Sequence, residues 1–377
     1  MTFDLSLTDE QTAIQELVSS LALEVLDPAA HAAEKAQAIP ESVLRTLHAT
    51  GLVAPVDVEY GGGGVPDALS QLLVAEGLAY GDAAMTVSML WNGSAAVIIG
   101  ICGTEAQRTT YLPAFASNPL HRAGLALYEG YGRAPSEYQT TIVREGDGYR
   151  VRGQKVAVQL PSDGAPLIVV GVDPTTQRLR AAIIEPGAYE GQELGLRPSG
   201  TQLGLDAVPT VSADMDVLIP ETAILGSTDA DRRLLSTYTS IIRLCAAAAA
   251  VGCARRAVEY AAKYATERIA FERPIASFQG IAFLIADAHI KIEASWLQIR
   301  QTLTMVTQPA TADPERAVSH VVGYACTAAS EVTRDCVQVL GGHGFLTDHP
   351  VERWYRATAS LAALDLDPTC QAFAPAL

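Results

Sequence analysis

The sequence is poor in positive charge, with 26 lysines and arginines against 42 aspartates and glutamates and a net charge of −16. A surface of that sign repels nucleic-acid phosphates and anionic membranes, and no basic stripe interrupts it, so neither is expected as a partner. The longest unbroken apolar run, LCAAAAAVGCA at 244–254, falls short of the roughly 18–20 residues that cross a bilayer. The opening MTFDLSLTDEQ lacks a basic segment followed by an apolar one, which argues against a secretory signal. A soluble, cytoplasmic chain is expected. Six cysteines are scattered without a C-x-x-C pair, and seven histidines show no H-E-x-x-H spacing. Neither a metal site nor a disulfide framework is therefore expected, and the thiols are read as reduced. No fixed-period repeat and no low-complexity tail is present.

What is there is a chain of 377 residues, 49% hydrophobic, enough for two or three domains with substantial cores. Its first third reads as helices. Thr8 and Gln11 form a capping box ahead of Ile14, Leu17, Val18, Leu21 and Val25, a stripe at helical spacing that is expected to close at Asp27-Pro28. A second helix spans Glu41 to Thr50 and ends at Gly51. The glycine run in EYGGGGVPD follows no apolar strand and carries no lysine, so a flexible interhelical loop is expected rather than a phosphate cradle.

The middle of the chain changes period. YRVRGQKVAV, APLIVVGV, RAAIIEP and TVSADMDVLIP are short, rich in β-branched residues and punctuated by Gly, Pro and Asp, the pattern of a β-sandwich or barrel. From Asp231 helices return. A long alanine-rich helix runs to Pro274, and helices over 278–307 and 313–340 follow. The expected organisation is α+β: an all-helical N-terminal domain over 1–119, a central β-domain over 120–228 and a C-terminal four-helix-bundle-type domain over 229–377.

Two motifs make this order specific. RIAFERPIASFQ at 268–279 places Arg268, a planar fork suited to a pyrophosphate, at a helix end, with Phe271 along the same face and Gln279 opening the next helix. QVLGGHGF at 338–345 pairs Gly341 and Gly342, where the backbone can come close to an anion, with Gln338 one turn earlier. His343 is read as a packed or hydrogen-bonded turn residue rather than a catalyst. These stretches resemble the flavin-binding signatures of the acyl-CoA dehydrogenase family, and EYGGGG, GTEAQRTTYLPAFAS, GDGYRVRGQK, DVLIPETAILG and PVERWYR extend the resemblance along nearly the whole chain.

The resemblance implies an FAD enzyme that desaturates an acyl thioester between Cα and Cβ, a carboxylate taking the α-proton while hydride leaves Cβ for the flavin. It further implies that Arg268, Phe271, Gln279, Gln338, Gly341 and Gly342 reach the FAD of a neighbouring subunit. Electron-transfer flavoprotein is the implied acceptor, and the substrate is carried on coenzyme A or on an acyl carrier protein. Two stretches depart from the family. Its T-E-P-x-x-G-S-D is LYEGYGRAP here, so Tyr128 replaces a threonine, Glu129 keeps its place, and the contacts at Leu127 and Tyr128 fall to the backbone. Its W-I-T is Ala157-Val158-Gln159. Counted from PVERWYR, the catalytic glutamate falls on Asp365, one methylene shorter, with Arg243 on the substrate side. Two alternatives stand beside this reading. One is a partner subunit, catalytically weak or silent, in a mixed assembly of homologous chains; the other is a flavin oxidase or monooxygenase relative. Homo-oligomer and hetero-oligomer both remain open.

Overall fold

The computed structural model of the chain describes residues 5–130, 133–185, 187, 193–200, 202–308 and 314–365. Helix α1 (Asp9–Leu21) opens on the expected capping box: the Thr8 hydroxyl accepts from the Gln11 amide at 3.2 Å and the Gln11 side chain accepts from the Thr8 amide at 3.1 Å. Ile14, Val18 and Leu21 are buried, but Leu17 is exposed, so the apolar stripe is narrower than its sequence spacing implies. The helix does not close at Asp27-Pro28. A π turn over Ala22–Leu26 leads into α2 (Asp27–Ala36), whose first turn holds Pro28 where a missing N–H costs little. Helix α3 (Glu41–Ala49) stops before Gly51, which takes φ +74°.

The glycine run is a closed turn rather than a flexible loop. A 3₁₀ turn over Val58–Tyr60 is followed by a β-bridge between Val56 and Gly64, and a Cβ on Gly62 would lie 2.0 Å from the Val56 carbonyl oxygen. The Tyr60 hydroxyl ties this turn to Glu105 at 2.9 Å. Helices α4 (Ala68–Gly81), α5 (Ala83–Cys102) and α6 (Glu105–Ser117) complete the N-terminal helical part.

The central part is one sheet of eight strands: β1 (Gly124–Ala126), β2 (Thr141–Glu145), β3 (Gly148–Gln159), β4 (Leu167–Asp173), β5 (Arg178–Ile184), β6 (Glu193–Pro198), β7 (Thr210–Pro220) and β8 (Ile224–Leu225). They lie in the order β6-β7-β3-β2-β4-β5-β8, with β1 parallel to β4. Period-2 alternation gives the sheet two apolar faces. Ile168, Val170, Ala181 and Ile183 join the core shared with the helices. Val151, Leu167, Val169, Ala182, Val217 and Ile219, drawn from both ends of the strand order, share a second core. A sheet whose distant strands meet in one core curls on itself, as the barrel-like reading requires.

In the C-terminal part α7 (Asp229–Glu267), α8 (Gln279–Thr307), α9 (Pro314–Leu340) and α10 (Val351–Asp365) pack together, and α7 also packs against α4 and α5. Close approach needs small residues. Ala246–Ala250 are all buried, and a Cβ on Gly252 would lie 2.0 Å from the Glu76 carbonyl oxygen. By length and composition α5 and α7 are apolar enough to cross a membrane, which the count of unbroken apolar residues did not suggest; 83% of each apolar window is buried against the rest of the protein. Helix α7 ends at Glu267, seven residues before Pro274, and a short hairpin of β9 (Ile269–Ala270) and β10 (Arg273–Pro274) takes its place. Helical N-terminal, β central and helical C-terminal parts follow one another as the sequence implies.

Candidate functional site

Helix α10 runs inward and ends on Asp365, which is 2% exposed. Its Oδ2 accepts from Arg243 Nε at 2.7 Å, and Arg243, in the middle of α7, is wholly buried. Burial opposes the guanidinium charge, but the carboxylate beside it outweighs that and raises the Arg243 pKa above its ordinary value. Nη2 of the same arginine donates to the Ser319 hydroxyl at 3.0 Å. Two atoms of the pair have no hydrogen-bond partner among the described residues, Arg243 Nη1 and Asp365 Oδ1. The sequence reading placed Arg243 on the substrate side; here it holds the carboxylate, leaving Oδ1 as the free oxygen. Asp367 and Pro368 lie outside the described residues.

Tyr128 and Tyr138 stand near this pair. Burial first, and the Asp365 charge second, push both phenols up, so both are neutral at physiological pH. The Tyr128 hydroxyl is buried beside the Trp91 ring and makes no hydrogen bond of ordinary geometry with any described residue. The backbone contacts expected of Leu127 and Tyr128 are partly spoken for, because the Leu127 carbonyl accepts from Lys155 Nζ and the Tyr128 carbonyl accepts from the Val156 amide, each at 2.9 Å.

A second buried pair anchors that segment. Lys155 Nζ lies 2.8 Å from Glu129 Oε1, the two side chains being 0% and 1% exposed. Glu129 also accepts from the Gln139 and Thr140 amides at 2.5 and 2.9 Å. The ammonium sits 4.0 Å from the centre of the Tyr138 ring. Arg133 Nη1 lies 3.9 Å from Glu129 Oε2.

Between β3, β7 and α10 lies an open cleft lined by Gly130, Val156, Ala157, Gln202, Ser212 and Leu364, among others. The β3–β7 register shifts between Lys155 and Val158, and Ala157 takes φ +52°. Gln159, two residues on along the same strand, is 3% exposed, and neither of its amide atoms has a partner among the described residues; the same holds for Gln202 Oε1. Leaving such groups buried and unpaired costs about 1–3 kcal/mol each. Of these groups only Gln202 lines the cleft, and a planar heterocycle edged with ring N–H and carbonyl groups would satisfy its oxygen, so the cleft residues fit a flavin.

The second half of the predicted cofactor set lies on the surface. Arg268 caps the end of α7, as the sequence implies, its amide donating to the Tyr264 carbonyl at 2.8 Å. It makes no ion pair with any described residue. It shares an open cavity with Gly341, Gly342, Tyr264 and His343. His343 is a hydrogen-bonded turn residue, as expected, with Nδ1 3.2 Å from the Tyr264 hydroxyl. Gln338 is exposed on the last turn of α9, and Gln279 opens α8. Phe271 does not pack beside Arg268. It sits at the hairpin tip with φ +51°, is 90% exposed, and meets only the edge of Phe278 among the aromatic rings described.

A third feature has no counterpart in the sequence reading. Beside Arg243 on α7, Ile242 lines a cavity enclosed by α4, α5 and α7, which also holds Gln71, Ser94 and Tyr238.

Two family models match the chain: "Acyl-CoA dehydrogenase, N-terminal domain" over residues 8–119 and "Acyl-CoA dehydrogenase, C-terminal domain" over residues 233–365. An acyl-CoA dehydrogenase of Bacillus subtilis (strain 168) is 29% identical over 361 residues, covering 93% of this chain and 92% of that protein. A solved chain from work on the electron transferring flavoprotein of Acidaminococcus fermentans is 27% identical with a TM-score of 0.80, covering 97% of each chain. A glutaryl-CoA dehydrogenase from Mycobacterium smegmatis in complex with FADH2 shares the fold, with a TM-score of 0.80 at 19% identity over 97% of this chain and 92% of that one.

Proposed function

The chain belongs to the acyl-CoA dehydrogenase family, and from its site we infer an FAD-dependent enzyme that desaturates an acyl-CoA thioester between Cα and Cβ, with Asp365 as the base. The observation that carries the role of Asp365 is a buried carboxylate with one oxygen fixed by Arg243 and the other unpartnered. Oδ1 is the atom that takes the α-proton. Arg243 is a positioning residue: through Nε and Nη2 it ties α7 to Asp365 and to Ser319, which fixes the direction of the lone pairs on Oδ1. Burial of Asp365, Tyr128 and Tyr138 excludes water from the reacting carbons. Gln202 supplies a neutral amide to the cofactor's polar edge, and Tyr128 supplies a neutral phenol. When bound, FAD supplies the two-electron acceptor for the hydrogen leaving Cβ.

Arg268, Gly341 and Gly342 form the anion-binding half of the cofactor site, facing outward to a neighbouring subunit of an oligomer. Electron-transfer flavoprotein is the proposed acceptor. The purified chain is expected to be yellow, to assemble at least as a dimer in light scattering, and to lose its flavin absorbance when an acyl-CoA is added without oxygen. A colourless protein that acyl-CoA leaves unchanged, even with FAD supplied, overturns the reading. Arg268→Ala is expected to weaken FAD binding by about 1.5–3 kcal/mol through loss of a charge-assisted contact. Equilibrium dialysis against FAD checks this, and an unchanged affinity removes Arg268 from the site.

A further inference from the structure

The cleft between β3, β7 and α10 is rimmed by residues 202–205, which form a tight turn. The Leu205 amide donates to the Gln202 carbonyl at 2.9 Å, and Gly204, at the third position, takes φ +74°. Glycine is the residue that adopts this φ at little cost. A side chain at 204 is also barred by α10, because a Cβ there would lie 2.2 Å from the Ala357 backbone nitrogen. The turn therefore rests directly on the helix.

Polar contacts pin it there. The Ser360 hydroxyl donates to the Leu203 carbonyl at 2.6 Å. Asp206 Oδ2 accepts from the Gly204 amide at 2.8 Å and lies 3.6 Å from Arg356 Nη1. Arg356 is itself held by Glu352 on α10 and by Glu34 on α2, each at 2.7 Å. Positions 356, 357, 360 and 364 recur at helical spacing and so share one face of α10. Ser360 and Leu364 line the cleft together with Gln202 and Leu203, and the residue after Leu364 is Asp365. The turn that carries Gln202 is thus fixed to the helix that carries the carboxylate.

We propose that this turn is a cofactor clamp, in which Ser360, Gly204 and Arg356 are positioning residues that hold the Gln202 amide oxygen ready to accept from a ring N–H of the flavin. The proposal rests on the FAD-dependent reading above and adds the residues that fix this polar contact. Two observations converge on it. The anchors order the turn before any ligand arrives, so its backbone freedom is not lost on binding. What they hold in place is an acceptor, Gln202 Oε1, with no partner among the described residues, and a turn that served the fold alone would be expected to satisfy it.

The test is a double-mutant cycle on FAD affinity, read by equilibrium dialysis of the full chain. Ser360→Ala and Gln202→Leu are each expected to weaken FAD binding about three- to tenfold, the worth of one neutral hydrogen bond. If Ser360 acts through Gln202, the double variant should bind within about twofold of Gln202→Leu alone. A merely structural hydroxyl would not give that result, because its loss would cost as much with the Gln202 amide absent as with it present. Unchanged affinity in either single variant, or losses that add in full, overturns the proposal while leaving the FAD reading intact. A parent chain that holds no FAD overturns that reading, and the clamp with it.

Discussion

Asp365→Asn should slow flavin reduction by an acyl-CoA by roughly 10²–10⁴, the range that general base catalysis contributes, with FAD still bound. The substitution keeps the side chain's size but removes the lone pair that accepts the α-proton. It also removes the negative charge 2.7 Å from the buried Arg243, and an unpaired buried guanidinium costs stability. The kinetics therefore have to be read at a temperature where flavin absorbance shows the variant folded. Asp367→Asn is the matching control, because the count from PVERWYR falls on Asp365 and not on Asp367, and little change is expected. Stopped-flow reduction without oxygen separates the outcomes. Should Asp365→Asn reduce flavin as fast as the parent, the base is another group. Should the parent bind FAD and leave it oxidised, the reading of a silent partner subunit regains its standing.

Local signals made much of this fold legible, and long-range pairing made the rest opaque. The capping box at Thr8 and Gln11, the glycine stop at Gly51 and the β-branched strands each depend on residues within a few positions, which periodicity and propensity report directly. Pro28 was read as a stop because a proline ends a helix interior; a π turn just before it resets the helix so that the proline falls in a first turn. Arg268 was placed at a helix end, where it stands, but Phe271 was counted along the same face, and the hairpin turns it outward. Asp365 was singled out by counting from PVERWYR, but its pairing with Arg243 spans 122 residues and leaves no trace in local spacing. Gln71 and Tyr238, 167 residues apart, were likewise beyond reach. Gln159 carries only a weak signal: an amide in place of a threonine, next to a strand's apolar run, reads as a loss, and only the structure shows its side chain buried with no partner among the described residues.

Breaking the second buried pair should have the largest effect on stability. Glu129→Gln is expected to destabilise the protein by about 3–5 kcal/mol, the usual cost of stranding one partner of a buried ion pair. The Lys155 ammonium would then be left wholly buried beside the Tyr138 ring and the Leu127 carbonyl, and the Gln139 and Thr140 amides would lose a charged acceptor. The variant with both Glu129→Gln and Lys155→Met should lose less than the two single variants together, because it leaves no uncompensated charge. Acid should act on the same group. Burial pushes the Glu129 carboxyl up, but Lys155 and the hydrogen bonds from Gln139 and Thr140 outweigh it and hold the pKa below the usual glutamate value. A carboxyl more acidic when folded than when unfolded contributes stability that is complete above its unfolded pKa, about 4.3, and that fades as pH falls through the folded value. Urea midpoints for parent and Glu129→Gln should therefore differ most near neutrality and converge as the pH drops below about 4. A gap under about 1 kcal/mol at pH 7, or one that does not narrow in acid, would mean that the pair behaves as an exposed one and that the segment carrying Tyr128 is held by its backbone alone.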